Sequence, residues 1–312
     1  MAEIMPDFVV VGQGKAGTSL LYRQLRKVSG VGLSHPKELH FFSAKNAEPV
    51  AWYKDRFAHL ADQDVTRVGE VSPSYLKPGV AQKIANLLGR DTQIIFILRH
   101  PIEQAYSRYL QNICATQKGD AFAPIMERAS VRLNTFFSAI AEYYEIFGPD
   151  RILPLVFERD VAVPGEIYLQ RVLAFVGMGD VMPAVPTREV NSGVMPRYLY
   201  SGSKPLHLTA AGARYTVPPE TLVFCAQERN SAVVAEPRKQ DALRAFRNQR
   251  AWTTDVTMQE YTRWHAAHVR PFAARLETAF GLDLSVWEGR ARDLSYPLAP
   301  PPKALLAQGQ PS

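Results

Sequence analysis

Cysteine is almost missing from this chain. Cys114 and Cys225 are the two examples among 312 residues, far apart and without CxxC spacing. That argues against a disulfide framework and against a zinc site, and both thiols are expected to be reduced and structural. Long apolar runs are missing as well. No stretch of about 18 or more apolar residues occurs, so no membrane span is expected. No apolar segment of signal-peptide length precedes a cleavage site, and a strand pattern begins almost at once. The expectation is a cytoplasmic protein. Charge is slightly sparse, at 21%, while hydrophobic residues reach 46%. This composition buries a sizeable core and does not read as disordered. The charge present leans basic, with a formal net charge of +6. A basic balance favours an anionic partner without choosing among nucleotide, nucleic acid and acidic glycan. The basic residues are scattered, which disfavours a nucleic-acid groove.

Apolar runs are then the main structural signal. Asp7 to Val11 (DFVVV) reads as a strand buried on both faces. Glycines follow at Gly12, Gly14 and Gly17, and Thr18-Ser19 opens a helical pattern with Leu21, Leu25 and Val28 on one face. Val65–Val71, Gln93–Leu98 and Ile152–Phe157 read as further strands. Pro78–Leu88, a segment opened by Pro101, Leu133–Phe147 and Ile167–Val176 read as helices. Strands alternating with helices predict an α/β, P-loop-like, three-layer fold with a central, mainly parallel sheet flanked by helices. After Gly177 the pattern weakens. Helical spacing returns from Tyr261 to Phe280, with Pro271 expected to kink or restart the helix. One domain over 1–296 is expected, with a basic variable segment at about 203–252. Residues 297–312, rich in Pro, Ala and Gln, read as a loose tail.

Three motifs carry chemistry. The first is Gly12-Gln13-Gly14-Lys15-Ala16-Gly17-Thr18-Ser19. A phosphate at a helix N-terminus meets free N–H groups and the positive end of the helix dipole. A plain Gly-rich turn has the same composition. The loop is not a Walker A sequence, because its lysine stands two positions before the last glycine and Thr18 follows that glycine. The strand Gln93–Leu98 ends in Arg99, where an NTPase would carry a magnesium-holding aspartate. The second motif is Arg99-His100-Pro101, with Ser107 eight residues after the arginine. A guanidinium fork with a hydroxyl suits a phosphate monoester. Equally, Arg99 could pair with a core carboxylate and Ser107 be a buried helical serine. The third motif is Lys37-Glu38-Leu39-His40-Phe41-Phe42, where a carboxylate beside Lys and His could act as a general base. Its plain alternative is a surface Lys-Glu pair leading into a Phe-Phe core anchor.

Together, GQGKAGTS, KELHFF and RHPIEQAYS resemble the PAPS-dependent sulfotransferases (PAPS is 3′-phosphoadenosine 5′-phosphosulfate). The resemblance is closest to the branch of the heparan sulfate sulfotransferases and their bacterial relatives. It covers roughly residues 7–200 and a stretch near 270–287. It implies that Lys15, Ala16, Gly17, Thr18 and Ser19 bind the 5′-phosphosulfate. Glu38 would serve as base with His40 nearby, and Arg99 and Ser107 would bind the 3′-phosphate. Gly69 to Tyr75 and Phe147 to Glu158 are weaker matches. Asn191 to Arg197 resembles a loop that closes over the nucleotide, which implies that Arg197 reaches the 3′-phosphate. Val71 stands where the heparan sulfate enzymes carry a lysine, and segment 203–252 has no counterpart. PAPS is thus the implied co-substrate, its bisphosphate PAP the product, and no metal is required. The implied acceptor is a small molecule or glycan, with a hydroxyl favoured over an amine. A metal-dependent kinase and a non-catalytic nucleotide-binding module are the alternatives.

Overall fold

The computed structural model describes residues 3–44, 48–116, 123–163, 167–181, 198–200, 206–210, 213–217, 222–224 and 257–291. The chain divides into two compact units. The first holds Met1–Gln104, Ser130–Val190 and Val269–Arg290. The second holds Ala105–Ala129, Asn191–His268 and Ala291–Ser312.

The first unit is built on five strands: β1 (Phe8–Gly12), β2 (Gly30–Leu33), β3 (Val65–Val71), β4 (Gln93–Leu98) and β5 (Ile152–Val156). Their order is β2-β3-β1-β4-β5, and every pairing is parallel. The predicted α/β, P-loop-like fold is therefore observed. Central strands of a parallel sheet are covered on both faces, which is why β1 and β4 are near-continuous apolar runs. Alternate residues face opposite layers. Phe8, Val10, Ile95, Ile97 and Leu155 share a core with Leu21 and Leu25 of helix α1 (Thr18–Leu25). Tyr168, Leu169 and Val172 of another helix, α6 (Ile167–Phe175), join the same core. From the opposite face, Phe96 meets Tyr144 with ring centroids 6.2 Å apart. Tyr144 lies on α5 (Ala123–Phe147) and stacks at 4.5 Å on Phe280. Among the described residues of the whole chain, the other α-helices are α2 (Val50–Asp55), α3 (Val80–Leu88), α4 (Pro101–Thr116), α7 (Met258–Trp264) and α8 (Arg270–Phe280). Pro271 sits in the first turn of α8, after a π-helical segment over His265–Val269, so the predicted restart at this proline is present. Among the described residues, no helix is long and apolar enough to cross a membrane.

The second unit contains two antiparallel pairs. Strand β6 (Tyr198–Tyr200) pairs with β9 (Leu222–Phe224), and β7 (Leu206–Ala210) pairs with β8 (Ala213–Val217). They occupy part of the stretch after Gly177 in which the sequence pattern weakens. Helix α4 runs on into this unit beyond Gln104. Residues 297–312 lie outside the described residues, as does most of 203–252.

Close packing between β1 and β3 makes Gly69 a sensitive point. A Cβ built there would lie 2.2 Å from the buried Phe8 ring. Gly69→Ala should lower stability by about 1–3 kcal/mol through overpacking. Shortening the opposing ring in Phe8→Leu/Gly69→Ala should recover part of that loss. Urea unfolding of the two single variants and the double variant measures the coupling. Strict additivity would show that the ring does not set the requirement for glycine.

Candidate active site

In a parallel sheet, the loops leaving the C-terminal ends of the strands gather at one edge, which is where such sheets bind ligands. Three loops of the first unit do this here. Residues 12–17 leave β1, residues 34–44 leave β2, and residues 72–76 leave β3. Arg99 follows β4 at the same edge.

The β1 loop is shaped by its backbone. Gly17 has φ +92°, and a Cβ there would come within 3.0 Å of Val161 and 3.2 Å of Phe157. Glycine is thus needed for both conformation and space. No side chain caps α1. Its first N–H groups therefore suit an anion, helped by the positive end of the helix dipole. Ala16 and Thr18 are buried, Lys15 and Gly17 are half-buried, and Ser19 is exposed. A helix start with no side-chain cap beside a lysine fits a phosphate-bearing ligand.

Arg99 ties this loop to the next strand. Its Nη1 donates to the Lys15 carbonyl at 2.7 Å, and its N–H donates to Gln13 Oε1 at 3.2 Å. The guanidinium lies 4.6 Å over the Phe157 ring and 4.0 Å from Glu158 Oε1. Gln104 Nε2 adds a second tie by donating to the Gly14 carbonyl at 2.8 Å. Arg99 thus faces a core carboxylate, as one of the two readings of the sequence has it, and stands beside the glycine-rich loop. Glu158 is buried and accepts from the Trp287 indole at 2.9 Å and from the His100 N–H at 3.1 Å. Burial raises its pKa, while those hydrogen bonds and the Arg99 charge pull the other way. Ser107 is buried on α4 and belongs to the second unit, and Arg197 lies outside the described residues.

The β2 loop carries the candidate base. Glu38 Oε2 lies 3.6 Å from His40 Nε2, and the Lys37 ammonium pairs with Glu38 Oε1. Ser34 N–H donates to the Gly69 carbonyl, and the Tyr22 hydroxyl of α1 donates to the Ser34 carbonyl. Phe42 is buried against Tyr53 and Tyr75, ring centroids 5.3 Å away in each case. The Phe-Phe anchor reading is therefore correct for Phe42, and it holds the loop whose other end bears Glu38.

Sequence reasoning missed the support beneath this loop. Glu70, at the end of β3, is fully buried. Tyr53 donates to its Oε2 and Ser72 to its Oε1, each at 2.7 Å. Ser72 Oγ in turn accepts from the His40 N–H at 3.3 Å. The signal was a charged residue inside an otherwise apolar strand end. Val71, at the position of the family's lysine, has no exposed surface.

A five-stranded parallel sheet with an anion-suited loop at its C-terminal edge defines a P-loop-like α/β protein. Comparison with known proteins narrows the class. The chain is 29% identical over 107 residues to the membrane-associated sulfotransferase kil1 of Dictyostelium discoideum, covering 34% of this chain and 22% of that protein. It is 29% identical over 141 residues to human heparan sulfate glucosamine 3-O-sulfotransferase 3B1, covering 44% of this chain and 35% of that protein. With human heparan sulfate glucosamine 3-O-sulfotransferase 6 it is 27% identical over 191 residues, covering 57% of this chain and 54% of that protein. The chain thus spans between about a fifth and a half of these curated relatives. No family model matches. A sulfotransferase from Alicyclobacillus acidocaldarius shares the fold, with TM-score 0.56 and 21% identity, covering 91% of this chain and 99% of that one. The chain is thus similar in sequence to heparan sulfate sulfotransferases and similar in fold to a bacterial sulfotransferase.

Burial raises the pKa of Glu70 above its ordinary 4.5, and the surrounding hydrogen bonds only partly oppose this. A raised folded-state pKa means that the folded protein holds its proton more tightly than the unfolded chain. The associated stability is full below about 4.5 and is lost as pH rises through the folded value. Glu70→Gln removes that dependence. Between pH 4.5 and 8, urea midpoints of the wild type should therefore fall relative to those of Glu70→Gln. Parallel pH curves would show that Glu70 does not bind its proton more tightly in the fold.

Proposed function

We propose that this protein transfers the sulfuryl group of PAPS to a hydroxyl of an acceptor, with Glu38 as general base. One observation carries the reading. Among the described residues, those other than glycine with positive φ are Lys15 (+70°), Glu38 (+66°) and His40 (+56°). A left-handed backbone is costly for residues with a Cβ and clusters at functional sites. Here it falls on the three residues that the family resemblance singles out for chemistry.

The strand-edge position of these residues supports a division of roles. The N–H groups at the start of α1, with Lys15, hold the 5′-phosphosulfate, and Arg99 takes the 3′-phosphate. Glu38 removes the acceptor proton as the acceptor oxygen bonds to sulfur. The bond from sulfur to the bridging phosphate oxygen breaks, and its electron pair leaves on PAP. Lys15 and the loop N–H groups stabilise that charge, a contribution worth about 10²–10³ in rate for one such donor. Fixed cations can do this without a divalent metal. That Ser107 and Arg197 complete the 3′-phosphate clamp rests on the sequence alone. The names of the relatives favour a glycan acceptor, and the net charge of +6 suits an anionic one. Scarce cysteine suits a reducing, cytoplasmic setting.

Adenosine 3′,5′-bisphosphate should raise the melting temperature in the presence of EDTA. At 100 times its Kd it should add about 2.7 kcal/mol of stability. Stabilisation by ATP with magnesium, and none by the bisphosphate, would make the protein a kinase instead. Glu38→Gln keeps the side chain's shape but cannot take the proton. Turnover with labelled PAPS should fall by about 10²–10⁴ in kcat, while bisphosphate affinity barely changes. Near-normal kcat in this variant would remove Glu38 from the mechanism.

A further inference from the structure

A short hydrogen-bonded chain ends on His40, and its directions can be worked out atom by atom. Ser43 Oγ donates to the His40 carbonyl at 3.2 Å, because a carbonyl oxygen can only accept. A hydroxyl has one proton, so Ser43 Oγ has only lone pairs left for Ser74 Oγ, which lies 2.7 Å away. All three contacts are hydrogen bonds at once only when Ser74 is the donor in that bond, which commits its proton. Ser74 Oγ, 2.7 Å from His40 Nδ1, then accepts there. That arrangement puts the proton on Nδ1. In the neutral ring, Nε2 is left with a bare lone pair, 3.6 Å from Glu38 Oε2.

We propose that Ser43 and Ser74 are positioning residues that hold His40 as its Nδ1–H tautomer, so that Nε2 serves as a second proton acceptor beside Glu38. This deepens the sulfotransferase reading and rests on it for its catalytic part. Two acceptors facing each other, a carboxylate oxygen and an imidazole nitrogen, have no proton of their own to share. The acceptor hydroxyl supplies it. Its O–H bond breaks as oxygen bonds to sulfur, and the proton passes to Glu38 and on to Nε2, leaving a carboxylate and an imidazolium. The ring's positive charge is then spread toward Ser74 through Nδ1–H. The pair stands 3.6 Å apart and closes to hydrogen-bond length once Glu38 holds the proton that passes on to Nε2. The opposite tautomer would place a proton on Nε2. His40 would then donate to Glu38 and weaken it as a base. The left-handed backbone at both Glu38 and His40 turns the two side chains toward one another, and the Ser72 bond to the His40 N–H holds the turn.

The test reads the tautomer directly and needs no activity. Nitrogen-15 NMR of histidine-labelled protein, at a pH where the ring is neutral, distinguishes a protonated from a bare ring nitrogen. The His40 signal is identified by its loss in His40→Gln. Wild type should show Nδ1 protonated. Ser74→Ala should lose that preference and move toward Nε2–H, and Ser74→Thr, which keeps the hydroxyl, should restore it. Ser74 is exposed, so neither change threatens the fold. Kinetics follow on the same proteins. Ser74→Ala should lower kcat roughly ten- to a hundredfold, less than loss of a whole general base, with the KM for PAPS unchanged and recovery in Ser74→Thr. An Nε2–H tautomer in wild type, or an unchanged tautomer in Ser74→Ala, would overturn the proposal. So would a tautomer change with kcat untouched. If wild type turns over no PAPS yet shows the tautomer pattern, the sulfotransferase reading fails while the positioning role stands.

Discussion

The Arg99 guanidinium donates to the Lys15 carbonyl, rests on the Phe157 ring and faces the buried Glu158. Much of the edge geometry depends on this one group. A phosphate-binding turn works only if its N–H groups point outward at fixed places, and a glycine-rich turn has little conformational preference of its own. Arg99 and Gln104 supply the missing constraint by bonding the carbonyls of Lys15 and Gly14. Those two carbonyls are thereby fixed toward Arg99 and Gln104. Arginine suits this better than lysine. Its planar fork can donate to a carbonyl, lie on an aromatic face and face a carboxylate at the same time.

Glu158 and Glu70 show what such a constraint costs. Both are carboxylates buried against the ordinary preference for water, and burial raises the pKa of each. Each is tied to a backbone N–H of a loop at the C-terminal edge of the sheet. Glu158 accepts directly from the His100 N–H, and Glu70 reaches the His40 N–H through Ser72. A surface carboxylate could make the same bonds but would not hold them rigid. The two buried groups thus brace opposite ends of the same strand edge, one beside Arg99 and the other beneath Glu38.

Much of the first unit was legible in the sequence because parallel central strands must be apolar on both faces. DFVVV and QIIFIL satisfy that requirement in a way few helices of that length would. Strand β2 was missed because GVGL is half glycine and gives no apolar run. The strands β6 to β9 were missed because strands of three to five residues carry too few positions for a period to emerge. At the site, GQGKAGTS and KELHFF were readable because their chemistry lies in contiguous residues. The Glu70–Ser72–His40 and Ser43–Ser74–His40 connections were not. They join residues about thirty apart, which only the pairing of β2 with β3 and the fold of the β2 loop bring together.

That difference bears on Val71. In the resembling enzymes a lysine at this position would add a charge near the transferred group, but here β3 ends with a valine that has no exposed surface. Its neighbours on either side have other work: Glu70 points into a nest of hydroxyls, and Ser72 bonds to both Glu70 and the His40 backbone. Strand alternation sends residues 70 and 72 to one face and residue 71 to the other. A lysine at 71 would thus need its own route out of a closed core, whereas the bracing by 70 and 72 is independent of what stands between them. The β3 end of this chain is organised around holding the Glu38–His40 loop. On the proposed reading, the charge that a lysine there would supply to the transferred group falls to Lys15 and the N–H groups at the start of α1.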